Sequence, residues 1–158
     1  MVYPFCGKGI RDHGRDPSGF LPDAFYGKST IESVMLPDCI TEIGRNAFRG
    51  CTALTEIIIP DKITTLPENI FYQCSNLAKV TLPAGLKHID KYAFYLCSSL
   101  SEPELPEGLE TIGESAFCSC KLFTEITLPE SLTSLGSGAF NSCSALVSLE
   151  IPKDVTVV

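Results

Sequence analysis

Long apolar runs are missing from this 158-residue chain. Nothing approaches the roughly 18 consecutive apolar residues of a membrane-spanning helix, so membrane insertion is not expected. Basic residues are also scarce, 12 against 19 acidic ones, for a formal net charge of −7. An acidic surface repels phosphate backbones, which argues against nucleic acid as a partner. Histidine occurs only at His13 and His88, and neither stands at a nucleophile or metal-ligand spacing. No Gly-rich phosphate loop precedes a helical pattern. Residues 1–30 lack the charged, apolar and small-residue succession of a secretory signal, so export is not written in the chain, although a mature form would look the same. Cys118-Ser-Cys120 resembles a metal dithiol only in isolation, and Cys6 with His13 does not complete a set of four zinc ligands. The expectation is a protein without catalytic residues, metal or cofactor.

What is present is a period. Six phenylalanines stand 23 residues apart, at Phe25, Phe48, Phe71, Phe94, Phe117 and Phe140. Five of the eight cysteines follow three residues later, at Cys51, Cys74, Cys97, Cys120 and Cys143. Leu-Pro or Ile-Pro pairs recur at Pro37, Pro60, Pro83, Pro106, Pro129 and Pro152, with no insertion or deletion in register from Phe20 to the end. Fixed self-similarity of this length marks a solenoid, in which each unit buries its apolar face on its neighbours.

Within a unit, Leu54-Thr-Glu-Ile57-Ile-Ile59 places apolar residues at positions 1, 4 and 6 of a short extended run. Positions 4 and 6 alternate about an exposed position 5, as in a half-buried strand. Proline at position 7 lacks an N–H and ends the ladder on that rung. A second apolar pair follows, as at Ile40 and Ile43, and then a turn with Gly44, Gly113 or Gly136. The Ala-Phe pair is expected on a short helical or 3₁₀ turn that inserts a stacked column of rings behind the strands. Parallel Cβ vectors in the cysteine column disfavour disulfides between rungs, so these thiols read as buried small hydrophobes. The states of Cys6, Cys39 and Cys118 stay open, with Cys118 placed at an exposed position.

The pattern read from Leu54 to Cys74 resembles the BspA-like leucine-rich repeats, 23-residue units of surface proteins, over residues 20–158. The resemblance implies an α/β repeat solenoid, a right-handed superhelix with a concave parallel sheet and short turns on the convex side. It implies a noncatalytic protein-binding role in a cell-surface or secreted adhesin, toward a protein ligand of a host or its extracellular matrix. The asparagine ladder of many other leucine-rich repeats is absent, its place taken by Cys39, Lys62, Gly85, Gly108 and Ser131, so the bend after each strand must be satisfied differently.

On the strand face the exposed positions include Glu32, Glu56, Ile58, Lys79, Thr81, Glu102, Glu104, Glu125, Thr127 and Glu150. These form the candidate binding surface, acidic, with threonines between and one lysine at its middle, suited to steering a basic partner. The same columns equally describe a solvated face, in a structural spacer or self-assembling stalk without its own ligand. Aromatic anchors are missing from them. Two stretches break the rule. Pro103 takes strand position 4, so Glu102–Pro106 should be bulged or unpaired. Residues 1–19 fall outside the period and read as a cap or the remnant of an upstream repeat. At the other end Val155 and Val158 begin a new unit, which suggests continuation into a longer protein or end-to-end self-association.

Overall fold

The computed structural model describes residues 19–20 and 22–157; the expected cap at residues 1–19 lies almost wholly outside them. Nine short strands follow in order: β1 (Gly19–Phe20), β2 (Glu42–Ile43), β3 (Glu56–Ile58), β4 (Thr65–Leu66), β5 (Lys79–Thr81), β6 (His88–Ile89), β7 (Thr111–Ile112), β8 (Ser134–Leu135) and β9 (Thr156–Val157). Every pairing is parallel. Successive rungs pair at an offset of 23, as Thr65 with His88, His88 with Thr111 and Thr111 with Ser134. The period in the sequence is therefore the physical step of the stack. Only the last strand differs: Ser134 pairs with Thr156, an offset of 22, so the register expected to run unbroken shortens by one at β9.

The sheets divide the work unequally. The longest, β4-β6-β7-β8-β9, is built from the second apolar pair of each unit. Its inward members Leu66, Ile89, Ile112 and Leu135 are buried, while Thr65, His88, Thr111 and Ser134 are half-exposed, the period-two pattern of a strand covered on one face. The first apolar run forms regular strands only at β3 and β5, extended by a bridge between Ser33 and Glu56. Between the ladders each proline carbonyl accepts the N–H three residues on, as Pro60 from Ile63 at 3.0 Å and Pro129 from Leu132 at 3.0 Å. This tight turn is what replaces the missing asparagine ladder.

The Ala-Phe segment is not helical; among the described residues there is no helix of any kind. Its alternate N–H groups are committed to the next rung: Asn46, Phe48 and Gly50 donate to the carbonyls of Glu68, Ile70 and Tyr72 at 3.1, 3.0 and 2.8 Å. The groups between them close three-residue turns, as Arg49 to Asn46 at 3.0 Å. An α-helix would spend all of these donors within one segment. Left-handed residues make the alternation work, one two residues before each phenylalanine and one two after, as Asn46 (φ 55°) and Gly50 (φ 73°) about Phe48.

Inside the coil the six phenylalanine rings stack as expected, with centroids 5.1–5.5 Å apart and interplanar angles of 2–22°. Phe48, Phe71, Phe94 and Phe117 are fully buried, flanked by the alanine and cysteine columns. The thiols of the column are free and buried. Each thiol donates to the phenylalanine carbonyl of the preceding rung, as Cys74 to Phe48 at 3.0 Å and Cys97 to Phe71 at 3.1 Å. Cysteine suits this column because it packs as a small apolar side chain and still carries a weak donor. Gly113 and Gly136 meet the preceding rung so closely that a Cβ at Gly113 would lie 2.5 Å from the Lys91 nitrogen.

Candidate functional site

All ten candidate side chains on the first-ladder face, from Glu32 to Glu150, are exposed. Strand alternation explains this directly: Ile57 and Val80 point inward and are buried, and Glu56, Ile58, Lys79 and Thr81 on either side face solvent. Register sets Glu56 beside Lys79 and Ile58 beside Thr81, an opposite-charge pair next to an apolar-polar pair. Farther along, Lys79, Thr81, Glu102 and Glu104 line one shallow depression, and Glu125, Thr127 and Glu150 line another. Ile58 and Met35, its neighbour one rung back in the same column, are 69% and 74% exposed, an apolar patch in an acidic surface.

Pro103 interrupts this face, as its chemistry predicts. Backbone N–H groups at position 2 bond the carbonyl one rung back at Thr55, Ala78, Ser101 and Val147. At Thr124 that bond is replaced: its N–H donates to Glu102 Oε1 at 2.6 Å and its hydroxyl to the same oxygen at 2.9 Å. These bonds to the charged form, led by the Thr124 N–H, hold the Glu102 carboxyl below its ordinary range. Glu102 is thus part of the scaffold, repairing the rung that proline breaks, and is not free to serve a ligand with both oxygens. Pro103 itself is buried, and Phe123 packs its ring 5.7 Å from that of Phe117.

The turn side carries a second constellation, of which the sequence showed only that Cys118 takes the place of Tyr72 and Tyr95. One residue after each phenylalanine stand Tyr26, Arg49, Tyr72, Tyr95, Cys118 and Asn141. Tyr72 and Tyr95 stack at 4.9 Å. The Arg49 guanidinium carbon lies 4.4 Å from the Tyr72 ring centroid and 5.6 Å from that of Tyr26, a sandwiched cation–π arrangement. Tyr92 stands perpendicular to Tyr95 and donates its hydroxyl to Glu114 Oε1 at 2.9 Å. That carboxylate raises the Tyr92 phenol, by the hydrogen bond first and its charge second. The 23-residue period extends that column to Tyr26, Arg49 and Asn141. Cys118, expected at an exposed position, is buried at 6% exposure, because its short side chain ends below the larger groups of Tyr95 and Asn141 on either side.

The thiols of the cysteine column are held protonated by burial. Burial pushes the Cys51 thiol up to about 11 and raises those of Cys74, Cys97, Cys120 and Cys143 as well. Cys39 is disulfide-bonded, and Cys6 and His13 lie outside the described residues. His88 sits in β6 with Nδ1 3.0 Å from the Thr111 hydroxyl, part of a polar row along the sheet. Among the described residues no group of three or more His, Cys, Asp or Glu is placed to hold a metal ion. No helix among them is long and apolar enough to cross a membrane.

Comparison with known proteins agrees with this architecture. Six copies of the BspA type leucine rich repeat region match residues 21–147. A leucine rich cell surface protein of Faecalibacterium prausnitzii is 32% identical with a TM-score of 0.75, over 89% of this chain and 38% of its own. A leucine-rich repeat protein of Eubacterium ventriosum is 32% identical with a TM-score of 0.76, over 86% of this chain and 36% of its own. One from Bacteroides ovatus is 26% identical with a TM-score of 0.70, over 94% of this chain and 44% of its own. The chain therefore spans less than half the length of these three proteins. No curated protein matches it. With its parallel rungs, 23-residue step and phenylalanine stack, the chain belongs to the BspA-type leucine-rich repeat family.

Proposed function

We propose that the chain is a noncatalytic protein-binding segment of a cell-surface or secreted adhesin, and that its first-ladder face is the binding surface. One observation carries this reading: ten exposed side chains lie in register on one face of a stack whose core is otherwise closed. The surface character of a relative supports the location. Predominantly acidic columns favour a basic protein partner, with Ile58 and Met35 as its apolar contact.

The test is a binding screen against extracellular-matrix and plasma proteins at two salt concentrations. Glu56, Glu104 and Glu125 are changed together to lysine, and Glu102 is left in place because it holds the scaffold. Saturable, salt-sensitive binding that the triple variant loses at least tenfold supports the assignment. Binding unchanged in the variant overturns it.

A spacer that associates end to end is the second reading. Val157 and Ile151 on the last rungs are 63% and 48% exposed, which favours an apolar contact there. Sedimentation velocity over a concentration series decides it: association that Val157→Lys abolishes supports the stalk, and a monomer at every concentration refutes it.

A further inference from the structure

The tyrosine column on the turn side stops one rung too early. Tyr95 is followed by Cys118, whose side chain is buried, and then by Asn141. Ring centroids in the adjoining phenylalanine column repeat every 5.1–5.5 Å. Tyr95 and Asn141 are two such steps apart, about 10 Å at the spacing of parallel rungs. That leaves a slot one planar group thick, opening onto a surface depression lined also by Arg49, Glu68, Tyr72, Tyr92 and Ser115.

We propose that this slot binds the guanidinium of an arginine side chain presented by a partner protein. The chain displays related chemistry three rungs away, where Arg49 is held between Tyr26 and Tyr72. The slot beside Tyr95 offers one such aromatic face, with the Asn141 side chain in place of the second ring. A counter-charge is in place: Glu114 accepts the Tyr92 hydroxyl and has no cation within ion-pair distance among the described residues, while Glu68 is shared with Lys91 at 3.5 Å. The net charge of −7 draws a basic partner to the surface. A neutral ring would match the width and leave Glu114 uncompensated. A lysine would bring charge without the plane that stacks on Tyr95 and the fork that meets a carboxylate. The slot is on the turn side and does not depend on the first-ladder face.

The experiment titrates the ¹⁵N-labelled chain, at millimolar concentrations, with three capped tripeptides, Gly-Arg-Gly, Gly-Lys-Gly and the glycine-flanked citrulline analogue. Citrulline keeps the plane and removes the charge. The arginine peptide should bind about fivefold tighter than the citrulline one, the size of one exposed cation–π contact, and tighter than the lysine one, which lacks the stacking plane. Its chemical-shift changes should centre on Ser115, Cys118 and Asn141. Cys118→Tyr fills the slot with the residue of the neighbouring rungs and should abolish binding without disturbing the stack. Glu114→Gln should weaken binding of the arginine peptide and leave that of the citrulline peptide unchanged. Equal binding of all three peptides, shifts centred elsewhere, undiminished binding by Cys118→Tyr, or no saturable shift would each overturn the proposal. None of these outcomes touches the triple-lysine test on the opposite ladder.

Discussion

At the scale of single residues, the fold asks unusual things of ordinary side chains. Two positions per unit adopt left-handed φ, and the first two rungs fill them with aspartate or asparagine and with glycine. Tyr92 (φ 59°) and Leu96 (φ 60°) hold the same conformations at a cost of about 1–2 kcal/mol each. The cysteine column shows the opposite economy, one small side chain serving as filler and donor. Its thiols are protected by burial, so a native sample at pH 8 should leave Cys74, Cys97 and Cys120 unreacted with an aromatic disulfide reagent. The same thiols should react within minutes in denaturant. Rapid reaction of these three in native buffer would contradict the buried, hydrogen-bonded column.

Elements here are defined by what passes between rungs, and the Glu102 repair is the test of that view. Its carboxyl titrates below the ordinary 4.5 because the charged form accepts the Thr124 N–H and hydroxyl. A depressed folded value means that the stabilisation is complete above the ordinary range and is lost as pH falls through the depressed one. Glu102→Gln should therefore lower stability at pH 7 by less than about 1 kcal/mol, the group being exposed and screened. Wild type and variant should converge in urea denaturation once the pH falls below the depressed range, and the Thr124 amide should exchange faster in the variant at neutral pH. Equal stability at pH 7 would make the side chain incidental. The period, the phenylalanine stack and the break at Pro103 were all legible in the sequence, because each depends on side-chain type or on a missing N–H. The turn-side ladder was not. Its left-handed positions hold Asp23, Asn46, Asn69, Tyr92, Ser115 and Gly138, a mixture with no side-chain signature, since hydrogen bonds between rungs dictate the backbone. Likewise the longer sheet formed at the second apolar pair, where two-residue strands such as Thr65-Leu66 offer too little alternation to recognise. The acidic columns were legible as exposed. Tyr72 and Tyr95 were legible as one column, but the place of Arg49 between Tyr26 and Tyr72 becomes visible only once rungs are superposed.

As a whole the molecule is a one-dimensional stack, so a core residue counts through its neighbours on both sides. Phe71 touches Phe48 and Phe94, whereas Phe140 stacks on Phe117 and is only half-buried. Phe71→Ala should cost about 3–5 kcal/mol in urea denaturation, and Phe140→Ala about half as much. Equal losses at the two positions would argue against additive coupling between adjacent rungs. The same reasoning bears on load. A protein anchored at one end and held by a partner at the other carries tension along its axis, and a serial structure yields at its weakest joint. Here that joint lies between Ser101 and Thr124, where one side chain stands in for a backbone bond. Pulled from its ends, this coil would begin to open at Pro103, in the middle of its acidic face, and acid would make it open sooner.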